Sequence, residues 1–355
     1  MSFLKFLRQH RFASFLFVLC LSAIVLSNSV PFLRSASAAP SIASVTTTDS
    51  VRKTVLENGL TVLTKEVPTA PVVTVQVWYR IGSRDEAQGV NGIAHQLEHL
   101  MFKGTSDRPI QFGRLFNALG SQSNAFTSYD QTAYFGTVAR EKLPALLALE
   151  ADRMQNALIN PDSLTSEKRV VISELQGYEN SPDYRLDRAV MRAAFPNSPY
   201  GLPVGGTKAD VEKFEVEQVR SYYSNYYSPD NATLILVGDF KTDSTLQQVK
   251  ELFGKVPKKE KAKPTPEKPT STSAKPVKAT QPIVLREPGS APLLNEVYPL
   301  PKATHPDVPA LHVLDLVLTE GRSSRLYQAL VETGLVSGFS GYPANMISGG
   351  WYDLS

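Results

Sequence analysis

The sequence contains a single cysteine among its 355 residues, Cys20, and this residue lies in an apolar N-terminal segment. If that segment is removed after Ala38, the mature protein has neither a thiol nor a disulfide, so cysteine gives no information about its redox compartment. The scarcity also argues against a structural zinc domain, because such domains favour four Cys or His ligands.

The mature chain also lacks an excess of positive charge. The full sequence has a net charge of +3, but the first 38 residues contain four basic residues and no acidic ones: Lys5, Arg8, Arg11 and Arg34. Without them the net charge falls to about −1, so the basic balance of the full sequence gives no reason to expect a nucleic-acid partner.

Long apolar runs are also few. Residues 12–26 form one, which follows a basic stretch and precedes Ala36-Ser37-Ala38, a small-residue cleavage site. The run is too short for a typical membrane span, so residues 1–38 are predicted to be a signal peptide. We therefore expect an exported protein, periplasmic or secreted. The alternative is that this segment is not cleaved and serves as an N-terminal anchor. The anchor would then be the only part of the protein expected to contact a membrane.

Histidine is scarce as well, but two of the five histidines stand close together in residues 92–102. His95 and His99 are four positions apart, so in a helix they lie one turn apart on the same face. Two such imidazoles can share a zinc ion, and Glu98 beside them can accept a proton from water. The alternative is a solvated helix face that carries His and Glu by chance.

The flanks of this motif favour a buried helix over a solvated one. Apolar residues surround the motif: Ile93, Ala94, Leu97, Leu100, Met101 and Phe102. A buried cluster of two histidines and a glutamate needs a partner, and a metal ion supplies one. The spacing His-x-x-Glu-His is also a signature of zinc hydrolases.

The order of strand and helix patterns predicts an α+β fold. Residues 55–63 read as two strands joined by an Asn58-Gly59 turn, and residues 72–81 as a central strand. We expect a helical segment over residues 211–227 and strands within residues 282–301.

These patterns also divide the chain into segments. After the signal peptide we expect a zinc-binding domain over residues 45–254 and a Lys/Pro-rich linker over 255–281. Residues 282–355 then read as the start of a second, incomplete domain.

Taken together, these residues resemble the pitrilysin/insulinase zinc metallopeptidases, and among them the mitochondrial-processing-peptidase-like branch of paired short subunits. The resemblance begins with the His95-x-x-Glu98-His99 motif and extends from about residue 51 to the C-terminus. The further matching segments are residues 82–86, 102–105, 124–127, 227–231 and 321–326, together with Glu167 and Glu174. The resemblance implies two homologous metallohydrolase-like halves, each a mixed or antiparallel sheet covered by helices, with the second half truncated and inactive.

The resemblance also implies roles for single residues. Glu174, 75 positions after His99, corresponds to the third zinc ligand, so that one zinc ion is expected per chain. Glu167 corresponds to an accessory catalytic carboxylate, for which the alternative is an ordinary acid on a helix surface. With three protein ligands the fourth metal position stays open for water, as in catalytic zinc sites.

The segment Asn124-Ala125-Phe126-Thr127 resembles the edge strand with which this family pairs the substrate backbone. The alternative is a plain loop that leads into a strand. The expected substrate is a peptide or small protein, and the expected activity is that of a secreted zinc metalloendopeptidase with Glu98 as general base.

One departure from the family concerns the second half. There the family carries an Arg and a Tyr that bind the substrate carbonyl, whereas Val331 and Ser337 occupy the matching places here. The resemblance therefore implies a heterodimer with a similar subunit that carries the Arg/Tyr pair. The alternative is a catalytically silent or weakly active subunit that acts in assembly or peptide binding.

The N-terminal pattern gives a direct test. Mass spectrometry of the exported protein should find an N-terminus near Ala39, because the small residues at positions 36–38 fit a cleavage site. An exported protein that retains residues 1–38 would instead indicate an anchor.

Overall fold

The computed structural model describes residues 42–48, 50–87, 89–258, 282–287 and 291–355. These residues all lie within one compact unit, Pro40–Ser355. The predicted signal peptide and nearly all of the predicted linker lie outside the described residues, and the predicted domain boundaries stay predictions.

Seven strands form the sheet of the first half: β1 (Ile42–Thr48), β2 (Val51–Leu56), β3 (Thr61–Glu66), β4 (Val72–Tyr79), β5 (Gln122–Thr127), β6 (Thr132–Ala139) and β7 (Ala232–Gly238). Their order across the sheet is β1-β2-β3-β7-β4-β6-β5, so β1 and β5 are its edges. β3 and β7 run parallel, and the other neighbours are antiparallel. The hairpin predicted at Asn58-Gly59 is confirmed as the β2–β3 connection, where Gly59 adopts a φ of 88°.

Eight helices accompany this sheet in the described part of the chain: α1 (Ile93–Leu100), α2 (Phe112–Leu119), α3 (Leu143–Asn156), α4 (Pro161–Glu179), α5 (Pro182–Ala194), α6 (Lys208–Lys213), α7 (Val216–Tyr226) and α8 (Thr242–Phe253). The helical segment predicted over residues 211–227 is confirmed, but the structure divides it into α6 and α7. Two capping boxes divide this region, because Thr207 with Asp210 begins α6 and Glu215 with Gln218 begins α7. Within the described residues, no helix is both long and apolar enough to cross a membrane.

The core forms between one face of the sheet and the helices. Along β4 the side chains of Val73, Val75, Val77 and Tyr79 alternate inward and are at most 1% exposed. Helix α3 packs on β4 and β6, and α8 packs on β3 and α3. Each buried apolar side chain of this kind stabilises the fold by about 2 kcal/mol, so the sheet gives the helices a rigid support.

The second half contributes a smaller sheet of β8 (Glu296–Leu300), β9 (Gly341–Met346) and β10 (Gly349–Leu354), with β10 in the centre. Helix α9 (Val308–Thr319) packs on β9, and a helical turn, Tyr327–Val331, follows it. Of the strands predicted within residues 282–301, the described residues contain only β8. The α+β prediction is confirmed by the mixed first sheet and its helices.

A buried carboxylate joins the second half to the first. Asp130, which follows β5, pairs with Arg84 at 3.1 Å and accepts a hydrogen bond from the Tyr200 hydroxyl at 3.1 Å. Its other oxygen accepts the backbone N–H of Ile347, in the turn between β9 and β10, at 2.8 Å. Trp351 packs beside this cluster against Tyr200. The β9–β10 hairpin is therefore attached to loops that flank the edge strand β5 and precede α1.

Candidate metal centre

Helix α1 carries the His-x-x-Glu-His motif and begins in an unusual way. Its N-cap residue, Gly92, has a φ of 91° and offers no side chain to cap the helix. The carboxylate of Glu86 takes that role, because it accepts N–H bonds from Gly92 at 2.7 Å and Ala94 at 3.0 Å, and from the Asn91 side chain at 2.9 Å. These bonds satisfy donors that a helix N-terminus leaves without intrahelical partners. The cap thus fixes the first turn, from which His95 projects.

One face of α1 is embedded in the core and the other carries the polar motif. Ile93, Ala94, Leu97 and Leu100 are at most 2% exposed. Because the apolar positions recur at helical spacing, their burial rotates the motif toward helix α4 and the edge strand β5, both of which α1 contacts. The prediction of a buried helix is confirmed.

Helix α4 brings Glu174 to the two histidines. Oε2 of Glu174 lies 3.2 Å from Nε2 of His99 and 3.9 Å from Nε2 of His95. One potential ligand atom from each of the three residues lies within 4.8 Å of the others. Two imidazole nitrogens and one carboxylate oxygen form a donor set typical of catalytic zinc sites. The three residues therefore fit a zinc ion.

The two histidines have different electrostatic surroundings. Burial and the neighbouring His99 lower the pKa of His95 to about 4, although Glu174 opposes this shift. His95 is therefore neutral at pH 7, the form in which an imidazole binds a metal. Burial also lowers the pKa of His99, but the hydrogen bond to Glu167 and the charge of Glu174 outweigh it, so the net pKa is raised.

Glu98 lies beside this cluster, and the edge strand holds it. The Thr127 hydroxyl, at the end of β5, donates a hydrogen bond of 2.5 Å to Oε2 of Glu98. Burial raises the pKa of Glu98, while the bond from Thr127 opposes the increase. A carboxylate with a raised pKa is a stronger base, which suits the role of proton acceptor.

Glu167 lies behind His99 and outside the three-residue cluster. Its Oε2 is 3.4 Å from Nδ1 of His99, and its other oxygen forms an ion pair with Lys103. Its side chain is only 8% exposed, so the alternative of an ordinary surface acid is wrong. Burial raises the pKa of Glu167, but the bonds to His99 and Lys103 lower it by more than burial raises it, so the net pKa is below the ordinary value. This contact places Glu167 where it can orient the His99 ring through Nδ1 and leave Nε2 directed at Glu174.

The segment Asn124–Thr127 lies within β5, so the alternative of a plain loop is wrong. β5 pairs with β6 and is the last strand of the described sheet, close to α1. Asn124 and Phe126 are exposed, whereas Ala125 is half-buried. This strand offers an edge that a peptide in extended conformation can extend.

Three residues that contact or support the centre had no role in the sequence-based prediction: Glu86, Tyr178 and Gly205. A Cβ on Gly205 would lie 3.3 Å from Nδ1 of His95 and 2.9 Å from a methyl carbon of Leu175, so the backbone there packs directly on the site. Tyr178 donates a hydrogen bond of 2.6 Å to Oε1 of Glu174, which raises the pKa of Tyr178 to about 12. Of the three, only Tyr178 had a local signal, its i+4 spacing from Glu174 on a predicted helix.

Comparison with known families places the cluster in a known domain type. Residues 61–208, which contain all of the candidate site residues, match the family described as insulinase (peptidase family M16). Residues 213–352 match the peptidase M16 inactive domain. The two matches cover most of the chain.

Curated relatives and solved structures agree with these matches. The zinc protease YmxG of Bacillus subtilis, described as uncharacterized, is 33% identical over 213 residues, which cover 60% of this chain and 52% of the relative. The zinc protease PqqE of Helicobacter pylori is 32% identical over 283 residues, which cover 78% of this chain and 63% of the relative. The chain thus spans between about half and two thirds of the length of these relatives.

Among solved structures, a protease from Helicobacter pylori superposes with a TM-score of 0.75 and 29% identity, covering 86% of this chain and 74% of that one. A peptidase M16 inactive domain from Pseudomonas fluorescens has a TM-score of 0.71 over 86% of this chain and 73% of that one. At 18% identity, this second likeness concerns the fold alone.

The buried cap of α1 leads to a pH-dependent prediction. Burial raises the pKa of Glu86 to about 8, above its ordinary value of 4.5, against the opposing N–H bonds. Between these two pH values the folded state keeps a proton on Glu86 that the unfolded state releases. The protonated side chain therefore stabilises the fold fully below about pH 4.5, and this contribution is lost as the pH rises through 8. Between pH 5 and 8, the free energy of unfolding should fall more steeply for the wild type than for Glu86→Gln. The slopes should differ by up to about 1.4 kcal/mol per pH unit, as measured by denaturant unfolding.

The exposed Glu141→Gln variant is the control for this prediction and should follow the wild-type pH dependence. Parallel pH curves for Glu86→Gln and the wild type would contradict the assignment of this titration to Glu86.

Proposed function

The chain belongs to the insulinase family of peptidases, family M16, and we propose that it is a zinc-dependent endopeptidase. One observation carries this proposal. One potential ligand atom from each of His95, His99 and Glu174 lies within 4.8 Å of the other two. Glu98 stands beside the two histidines on α1. The named relatives support zinc protease chemistry at the level of the family.

His95, His99 and Glu174 are the residues that would hold one zinc ion per chain. When bound, zinc supplies a Lewis acid that polarises a peptide carbonyl and lowers the pKa of a water molecule. The protein prepares this site through burial, which keeps His95 neutral, and through Glu167, which orients His99.

Glu98 is the general base in this proposal. It accepts the proton of the attacking water, and it then donates that proton to the nitrogen of the leaving amine as the peptide bond breaks. Thr127 holds its carboxylate through the hydrogen bond to Oε2, so the edge strand fixes both the base and the peptide. The remainder of β5, Asn124, Ala125 and Phe126, would align the backbone of a peptide or small protein beside Glu98.

A second candidate function is a subunit of the same fold that is silent or weakly active. The sequence of the second half favours it, because Val331 and Ser337 stand where the family carries Arg and Tyr. We propose that a partner subunit, similar to this chain and carrying the Arg/Tyr pair, completes the active enzyme. We also propose that the protein is exported, which rests on the N-terminal pattern alone.

Metal content tests the proposed ligands. Purified protein should contain about one zinc ion per chain by elemental analysis. Glu174→Gln should lose most of it, because the variant lacks the anionic ligand. Glu98→Gln should retain zinc and lose activity by about 100- to 10,000-fold, since it lacks the base.

The matched control is Glu179→Gln, which changes a carboxylate on the same helix, α4, away from the cluster. Full zinc retention in Glu174→Gln would remove Glu174 from the ligand set.

Activity of the chain alone tests the proposed partner. Without the Arg/Tyr pair, the purified chain should bind zinc and cleave peptides poorly, because one missing oxyanion donor costs about 100- to 1,000-fold in rate. A homodimer would not restore the rate, since both copies lack the pair. Addition of a subunit that carries it should activate cleavage strongly. Efficient turnover by this chain with zinc and no other polypeptide would defeat the proposal.

A further inference from the structure

The three proposed ligands differ in how firmly the protein holds them. The side chains of His95 and His99 are 14% and 19% exposed, whereas that of Glu174 is 30% exposed. His99 is also hydrogen-bonded to the buried Glu167. Glu174 is thus the proposed ligand that packing constrains least, and it also has more rotatable bonds to restrain than histidine has.

The two carboxylate oxygens of Glu174 face in different directions. Oε2 is the oxygen near both imidazoles, and it lies 3.2 Å from Nε2 of His99 and 3.9 Å from Nε2 of His95. Oε1 accepts the hydroxyl of Tyr178 at 2.6 Å. A hydrogen bond to a charged acceptor at this distance is among the stronger kinds, so it selects one orientation of the carboxylate.

Tyr178 is itself well placed to hold that orientation. It follows Glu174 by four positions on α4, so the two side chains lie on the same face of the helix, one turn apart. Its ring packs on Tyr184, with ring centroids 5.6 Å apart, and Ser181 caps the start of α5 by accepting the N–H of Tyr184. The turn between α4 and α5 thus supports the phenol from one side, although Tyr178 remains 47% exposed.

We propose that Tyr178 is a positioning residue for the metal centre. Its hydroxyl holds Oε1 of Glu174, and this leaves Oε2 directed at the place where His95 and His99 converge. The inference rests on the proposed zinc site, and it adds the phenol as the group that orients the anionic ligand. Hydrogen bonds of this kind to metal ligands typically contribute 10- to 100-fold in affinity.

Two other roles for the phenol make different predictions. A ring that only packs against Tyr184 would act without its hydroxyl, so phenylalanine would replace it fully. A phenol that binds the substrate would change turnover and leave the zinc affinity untouched.

The experiment measures the zinc dissociation constant of the full chain by competition with a chromophoric chelator. Tyr178→Phe keeps the ring and removes the hydroxyl, and Tyr178→Leu removes both. Both variants should bind zinc about 10- to 100-fold more weakly than the wild type. Tyr184→Phe is the matched control, because it removes a hydroxyl from the adjacent ring that forms no bond to Glu174 in the described structure, and it should bind zinc as the wild type does.

A second measurement separates positioning of the metal from a general structural role. Thermal unfolding in excess chelator should give the same midpoint for Tyr178→Phe and the wild type, because the hydroxyl of the exposed Tyr178 bonds to a carboxylate that is itself 30% exposed. Peptide cleavage at saturating zinc should recover most of the wild-type rate.

The outcomes are distinct. Wild-type zinc affinity in Tyr178→Phe with weakened binding in Tyr178→Leu would overturn the inference in favour of ring packing. Unchanged affinity in both variants with a lost rate at saturating zinc would overturn it in favour of substrate binding. Failure of the wild type itself to bind zinc would refute the proposed function rather than the role of Tyr178.

Discussion

The packing of α1 against α4 is the constraint on which the centre depends. His95 and His99 are fixed relative to one another by one turn of helix, but Glu174 reaches them only because the two helices are in contact. The contact between the two helices brings polar side chains together in a partly buried environment, where an unpaired charge would be costly in free energy. Glu167 stands behind His99 and pairs with its Nδ1, whereas Nδ1 of His95 is buried without a hydrogen-bond partner among the described residues.

The supports of this centre are polar groups drawn from distant parts of the chain. Glu86 caps α1 from the loop before it, Thr127 reaches Glu98 from the edge strand, and Lys103 pairs with Glu167. Asp130, in the loop after β5, and Arg84, in the loop before α1, attach the second half to the neighbourhood of the centre. Changes in any one support act on the centre through another residue, so we expect their effects on stability and metal affinity to be coupled rather than additive.

The sequence was sufficient for those parts of the structure that depend on local spacing. The His95 and His99 pair follows from helical periodicity, the β2–β3 hairpin from Asn58-Gly59, and the burial of α1 from its apolar flanks. The interruption between α6 and α7 was missed although the capping box Glu215-x-x-Gln218 is visible in the sequence. There the apolar periodicity continued through a helix end, and the capping residues were the more reliable signal.

Other parts of the site have no local signal. Glu174 was assigned through resemblance to a family, because spacing along the chain does not determine how two helices pack. The roles of Glu86 and Gly205 depend on the meeting of loops that are far apart in sequence. Tyr178 has a helical relation to Glu174, but only the structure shows which carboxylate oxygen its hydroxyl binds.

We propose that α1 and α4 together form one zinc site. Anomalous scattering from crystals of the full chain grown with zinc tests it most directly. We expect a single peak bound by Nε2 of His95, Nε2 of His99 and Oε2 of Glu174, at about 2.0–2.2 Å from each. A peak bound by the two histidines without Glu174, or a peak elsewhere in the chain, would contradict it.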